Sequence, residues 1–380
     1  MKTSVSFLIE MVFAIVFAFS AQSQNVGIGE SSPPAKLTVL GTGNSPAIPG
    51  TTSNGIMRIT ISSLEGLDIG KLVSSPFSAW MQAGYDGVDA DPISLAPLGG
   101  NVGIGTINPA ARLEVSGGDA LINGLSVGKG GGSASTNSAF GYQALYSNTT
   151  GSYNTASGYQ ALLSTGTGSR NTAMGYRALR TNTTGNTNSA FGQYAMNSNT
   201  TGNSNIAVGT HALYLSVGKS NLVAIGDSAL YNNGIGANTS EEGSRNTAIG
   251  SKVLFTNTTG FDNTGTGNKA LNSNSEGEAN SAYGSSALYL NSTGSFNTAI
   301  GCLTLRQNSY GEYNTVCGYH AAYNNETGNY NTAIGNWCLN DNHTGHNNTA
   351  IGNYALENNY NGNDNTAVGN YTLNNNTQGH

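Results

Sequence analysis

Fourteen glycines in this chain close the same short pattern, Asn-Thr-Ala-apolar-Gly, at an almost constant spacing. They are Gly141, Gly158, Gly175, Gly192, Gly209, Gly226, Gly250, Gly267, Gly284, Gly301, Gly318, Gly335, Gly352 and Gly369. Twelve of the 13 intervals are 17 residues; the other, Gly226 to Gly250, is 24, a seven-residue insertion around Gly234–Gly243. The unit reads approximately Asn-Thr-Ala-Ile-Gly-Tyr-x-Ala-Leu-x-x-Asn-Thr-Thr-Gly-x-x, and residues 331–347 are a good copy. Such a unit is too short for a helix pair and shows no 3.6-residue periodicity. It cannot bury its large apolar side chains alone. Stacked units can, because identical columns then form one thin continuous core.

Two apolar columns are the candidates for that core, and the sequence alone does not show which column faces inward and which faces a partner. The column before the glycine holds Phe140, Met174, Phe191, Val208, Ile225, Ile249, Ile300, Ile334, Ile351 and Val368. Four places after the glycine stands a Leu column running from Leu145 to Leu373, with Met196 and Ala322 as its exceptions. Ala precedes each column in most copies, as at Ala333, Ala350 and Ala355, and suggests a face that lets another chain approach closely. Two short strands, Thr-Ala-Ile and Ala-Leu, account for the unit. Its two turns would lie at the pattern glycine and at Asn-Thr-Thr-Gly, where Asn and Gly accept positive φ. The expected fold is therefore all-β: a parallel β-solenoid of about fourteen 17-residue rungs, preceded by a small β segment. At ~4.8 Å per rung the rod is roughly 65 Å long.

The first residue of the unit is Asn in 13 of 14 copies, among them Asn154, Asn171, Asn297, Asn314, Asn331, Asn348 and Asn365; Leu222 takes the remaining place. Stacked amides can hydrogen-bond along the axis, so this column reads as a structural ladder rather than a ligand site.

Three domains follow from the pattern. Residues 1–23 read as a secretory signal: Lys2, an apolar run from Met11 to Phe19, then small residues up to Ser23. Residues 24–135 form a β-rich fibre or capping region with two related units, Asn25-Val26-Gly27-Ile28-Gly29 and Asn101-Val102-Gly103-Ile104-Gly105. Between them lie strand signals at Met57–Ile61 and Pro92–Leu95, with turns at Asn54-Gly55 and Asp86-Gly87. Residues 136–380 are the solenoid, and a cap before it would shield its open strand edge.

Composition removes several functions. Charged residues are only 9%, with a thin net charge of −6 and no basic stripe, so phosphate neutralisation on nucleic acid is not expected. After the signal, no stretch is long or apolar enough for a membrane-spanning helix. No cofactor site is expected: Gly218-Lys219-Ser220 lacks the first glycine of a phosphate loop, Leu213 standing in its place. His343 and His346, with Asp341 near, read as a solvated turn rather than a metal site. Cys302, Cys317 and Cys338 make an odd count and read as small buried residues, with a Cys302–Cys317 bridge as the alternative. Catalytic sets are not suggested by any spacing, so the chain reads as non-enzymatic; a glycan depolymerase would need clustered acidic residues on one face. Tyr142, Tyr159, Tyr176 and Tyr319 align one place after the glycine. They are the candidate ligand-contact column, against cross-rung packing as the alternative. A Thr column including Thr155, Thr172 and Thr332 leaves an ice-binding rod as a further reading.

The repeated Asn-Thr-Ala-Ile-Gly…Ala-Leu unit resembles the head repeats of trimeric autotransporter adhesins, the YadA-like left-handed β-roll. The run from Pro92 through Asn101-Val102-Gly103-Ile104-Gly105 to Leu113-Glu114-Val115 is similar to the shaft of bacteriophage tail fibres and related bacterial surface fibres. These resemblances imply an intertwined homotrimer, secreted or displayed on the outer surface of a bacterium. They imply attachment to a host or surface glycan or protein ligand, or a receptor-binding shaft of the tail-fibre kind.

Overall fold

Every Thr-Ala-Ile segment becomes a three-residue strand, from Ser138–Phe140 to Thr366–Val368, and each pairs in parallel with the copy before and after it. Equivalent residues face each other without slippage: Thr332 opposes Thr349, Ala333 opposes Ala350, and Ile334 opposes Ile351. The register survives the insertion, since Val223–Ile225 still pairs with Thr247–Ile249. The result is a parallel β-solenoid of about fourteen turns. This computed structural model describes residues 101–379 apart from 107. Before residue 101 it describes only the backbone of the strands Val26–Ile28, Leu37–Val39, Met57–Thr60, Glu65–Lys71, Ala79–Tyr85 and Ala90–Asp91. Among the described residues there is no helix, so none is long and apolar enough to cross a membrane.

Each rung has one strand, not two. The expected Ala-Leu strand is a turn in which the Leu column itself takes φ between 44° and 54°. Left-handed backbone costs a non-glycine residue roughly 1–2 kcal/mol. Burying a Leu side chain returns about 1.5–3 kcal/mol. Leu145, Leu162, Leu179 and most of their counterparts are fully buried, so burial wins. The turns are also locked rung to rung, as where Leu145 N–H donates to Ala161 O at 3.1 Å.

The strand pattern settles which column the core holds. Along each strand the outer residues point out and the middle Ala points in: Ala173, Ala190, Ala207 and Ala333 have no exposed surface. The Ala columns are therefore interior, not an open face for another chain. The large apolar column before the glycine lies outside, with Phe140, Met174, Ile225, Ile300 and Ile334 all exposed. An interior lined by Ala and Leu is narrow, and volume is balanced within it. Val253 replaces one core Ala, and the neighbouring rung answers with Gly265, where a Cβ would lie 2.5 Å from Val253 Cγ1.

Buried asparagines complete the interior. In the first column, Asn171 Nδ2 donates to Gly185 O at 2.8 Å, while its Oδ1 accepts the N–H of Asn188 at 3.0 Å in the next rung. The same pair of bonds recurs at Asn154, Asn297, Asn314, Asn331 and Asn348. Asn365 closes the series, its Nδ2 on Gly379 O at 3.0 Å. Leu222 interrupts the relay: its N–H still donates to Asn205 Oδ1, but it offers no side-chain oxygen to Asn246.

A second ladder lies where the turn Asn of Asn-Thr-Thr-Gly was read only as a turn former. Asn274, Asn291, Asn308, Asn325 and Asn342 each donate Nδ2 to the Asn Oδ1 of the previous rung at 2.7–2.9 Å. Each also donates to a Gly carbonyl three residues on. Two copies lack the Asn, at Thr165 and Ser216. The rungs before them hold Asn148 Oδ1 and Asn199 Oδ1, both buried without a partner, and Ser216 Oγ is orphaned as well. Ser216→Asn is therefore expected to stabilise the chain by about 1–2 kcal/mol, the worth of satisfying a buried acceptor. A urea titration that shows an unchanged or lower midpoint would count against the ladder.

At the N-terminal edge the solenoid sheet is closed by a hairpin, Ala120–Ile122 with Leu125–Gly128, joined by Asn123-Gly124 at φ 48° and 82°. Its second strand runs antiparallel to Ser138–Phe140. The Asp119 carboxylate accepts the N–H groups of Lys129 and Gly130 at 2.8 Å each and holds the following loop against the first rung. The hairpin belongs to the same compact unit as the solenoid.

In the N-terminal unit, Val26–Ile28 pairs in parallel with Leu37–Val39. The second copy of that unit, Val102–Ile104 and Leu113–Val115, also makes a two-stranded sheet. Met57–Thr60, Glu65–Lys71, Ala79–Tyr85 and Ala90–Asp91 form an antiparallel meander; the middle two strands carried no strong sequence signal. Residues 1–23, the turns at Asn54-Gly55 and Asp86-Gly87 and the strand signal at Pro92–Leu95 lie outside the described residues.

Candidate functional site

Since the interior is filled by Ala, Leu and Asn, chemistry directed at other molecules must lie on the outward ranks. The strand face presents two of them side by side. One is Thr-rich, as at Thr298, Thr332 and Thr349; the other is the large apolar rank. They adjoin because the Ala between them points inward. A few small residues notch the apolar rank, and Ser157 between Phe140 and Met174 is one.

The Tyr column divides. Tyr142, Tyr159 and Tyr176 stack face to face along the axis, with ring centroids 5.3 and 5.2 Å apart and planes within 15°. Their faces are spent on one another and their edges meet solvent. Tyr319 stands apart from them, tilted on His320 and edge-on to Trp337. Other rings continue the stacking: Tyr214, Tyr231 and Phe255 in one column, Phe296, Tyr313 and Tyr330 in another.

At the last three rungs the column after the glycine becomes Asn336, Asn353 and Asn370, and the next becomes Trp337, Tyr354 and Tyr371. With Tyr319 they line a groove of about 350 Å³. Sequence reasoning missed it, although the thrice-repeated Gly-Asn-aromatic motif was there to be read. A second hollow, about 630 Å³, lies between the N-terminal hairpin loop and the first rung, against Tyr142 and Gln143.

The titratable groups are few and mostly structural. Arg245 clasps Asp262 across two rungs, Nε to Oδ1 at 2.7 Å and Nη2 to Oδ2 at 2.9 Å, and holds that carboxyl below its usual range. Both side chains are about two-fifths exposed, so the pair adds little to stability. Burial, with Arg306 nearby, lowers the pKa of His320. His343 Nδ1 meets Glu326 Oε1 at 2.9 Å, and His346 Nδ1 accepts the Asn329 N–H at 3.0 Å, so the two histidines serve separate cross-rung links. Lys219 Nζ donates to Thr239 O at 2.6 Å and ties down the insertion loop. Among the described residues no three His, Cys, Asp or Glu side chains gather as a metal site.

The three cysteines are free, and two contradict the expectation of burial: Cys302 and Cys317 are exposed on outward ranks, and only Cys338 lies in the core. Burial pushes the Cys338 thiol up to about 12. At pH 8 it is a thiolate in only about one molecule in 10⁴. Ellman's reagent is expected to label Cys302 rapidly in the folded chain and Cys338 only after denaturation. Rapid labelling of Cys338 under native conditions would place it outside the core.

Fold and surface together define the class: a repeat protein of the parallel β-solenoid kind, whose features are ranks of repeated side chains rather than a single pocket. No protein-family model, no curated protein and no solved structure matches this chain.

Proposed function

We propose that this chain is a non-enzymatic structural and adhesive fibre protein of the cell exterior, assembling as a homotrimer and attaching multivalently to a glycan or protein surface. The observation that carries the reading is the outward apolar rank. Its large side chains, from Phe140 to Val368, are each 37–64% exposed and uncovered by their own chain. Monomers rarely leave so long a row of large apolar side chains in water, even one notched by small residues such as Ser157. Two ranks along the solenoid make a strip of roughly 60 by 10 Å, on the order of the ~800 Å² per partner of a standard interface. A copy of the same chain is the natural cover, because only another stack has the same ~4.8 Å repeat. Attachment would then sum many weak contacts on a rigid support.

Light scattering and thiol labelling test the assembly together. A trimeric mass, with Cys302 reactive and Cys317 protected, is the expected result; a monomer with both thiols reactive overturns it. Attachment is tested on mucin- and collagen-coated surfaces. Deleting residues 285–318, two rungs in register, should weaken retention, and undiminished retention would exclude a multivalent mechanism.

A further inference from the structure

The groove at the last three rungs has a chemical character found nowhere else on the solenoid. Asn336 Oδ1 accepts the backbone N–H of Tyr319 at 3.0 Å. Asn353 Oδ1 accepts that of Asn336, and Asn370 Oδ1 that of Asn353, both at 3.1 Å. Each amide is thus held by its oxygen, which leaves its Nδ2 group facing outward. None of the three Nδ2 groups has a hydrogen-bond partner among the described residues. They form a row of donors repeating every ~4.8 Å.

Beside the row stands an aromatic wall. Trp337 and Tyr354 lie within 9° of parallel, and Tyr354 and Tyr371 within 8°. Their faces are turned to each other, so the wall presents ring edges. One end is closed by Tyr319, whose ring stands at 73° to Trp337 with centroids 6.1 Å apart. Nothing charged lines the groove.

We propose that this groove binds an uncharged saccharide of one or two rings. The argument is by chemistry. An ionic ligand would find no counter-charge. An apolar ligand would cover three amide donors and leave them unpaired, a cost in each case. A flat aromatic ligand would find the wall's ring faces already occupied. A sugar satisfies all three conditions: it needs no counter-charge, its hydroxyl oxygens accept from the Nδ2 row, and its C–H groups pack against the ring edges of the wall without needing a free ring face. The volume, about 350 Å³, suits a mono- or disaccharide. This deepens the attachment reading, and rests on it, by naming the ligand class at one site.

The test uses the full chain on a printed array of neutral, sialylated and sulfated oligosaccharides. A Trp80→Phe background leaves Trp337 as the only indole, so its emission reports the groove. The expected result is retention of at least one neutral oligosaccharide with a change in Trp337 emission. Tyr319→Ala and Asn353→Ala should each weaken it at least tenfold, and Tyr153→Ala, an exposed ring near the opposite end of the solenoid, should not. Tyr319 and Asn353 are exposed, so both truncations leave the core intact. Retention of acidic glycans alone, of none, or binding indifferent to both groove variants overturns the proposal. If deleting rungs 285–318 reduces surface retention while the groove binds nothing, the groove reading alone falls. If the groove binds and that deletion changes nothing, the attachment reading falls instead.

Discussion

Asn297→Ala is expected to cost about 3 kcal/mol of stability, although it truncates one side chain in one rung. The amide of Asn297 makes four contacts. Its Nδ2 donates to Gly311 O at 2.8 Å and to Asn280 Oδ1 at 3.1 Å. Its Oδ1 accepts the Asn314 N–H at 3.1 Å and Asn314 Nδ2 at 3.0 Å. Three of the partners keep another bond after truncation. Gly311 O retains Asn308 Nδ2, Asn314 Nδ2 retains Gly328 O, and Asn280 Oδ1 retains the backbone N–H of position 297. Only the Asn314 N–H is orphaned, in a residue with no exposed surface. An orphaned buried donor costs about 1–3 kcal/mol, and the lost bonds and small cavity add to it. Because rungs touch only their neighbours, the deficit sits at one interface and can split the transition into two. A urea titration followed by circular dichroism reads both effects. Asn336→Ala, on the outside, is the control and should change stability by less than ~0.5 kcal/mol. If the two variants behave alike, the buried ladder contributes nothing.

The same ladder explains how much of the fold was legible beforehand. The period, the Leu column and the Asn column stand in the sequence because stacking repeats each environment. The inside–outside assignment of the strand was also legible, but was left open between the columns. In an extended segment alternate residues share a face. Asn331 and Ala333 therefore point one way, and Thr332 and Ile334 the other. If the Asn column is an interior ladder, Ala must be interior too and Ile must face out. Hydrophobicity alone favoured Ile for the core, and it lost because a narrow interior has room for Ala but not for Ile beside Leu339. The second ladder was hidden by a true but incomplete reading, since Asn342 is both a turn residue and a buried amide. The left-handed backbone at Leu339, φ 51°, had no local signal at all. Leu does not favour that region, and only the stack on either side imposes it. The groove was hidden for a different reason: Tyr marks the column after the glycine at Tyr142, Tyr159, Tyr176 and Tyr319, while at Asn336 and Asn353 that column changes its chemistry.

Gly335→Ala should be among the most damaging single-methyl changes in the solenoid, at about 4 kcal/mol or more. Two costs coincide there. Gly335 has φ +139°, a conformation that side-chain-bearing residues rarely adopt, and a Cβ would lie 2.5 Å from Gly352 O and 2.7 Å from its carbonyl carbon. The rungs cannot separate to relieve it. Gly335 N–H donates to Cys317 O at 2.8 Å, and Thr332–Ile334 is paired in register on both sides. Gly369 separates the two costs. Its φ is similar, +127°, but nothing described stacks beyond it, and a Cβ would meet only Thr372 Oγ1, at 2.9 Å. Gly369→Ala should therefore carry backbone strain alone, about 1–3 kcal/mol. Denaturant midpoints of the two variants, compared at equal m, measure the difference that rung-on-rung contact makes. A gap of about 2 kcal/mol is expected from the overpacking term. Equal losses would mean that the glycine is kept for its dihedral angle only, and that the spacing between rungs gives way when a methyl group is forced into it.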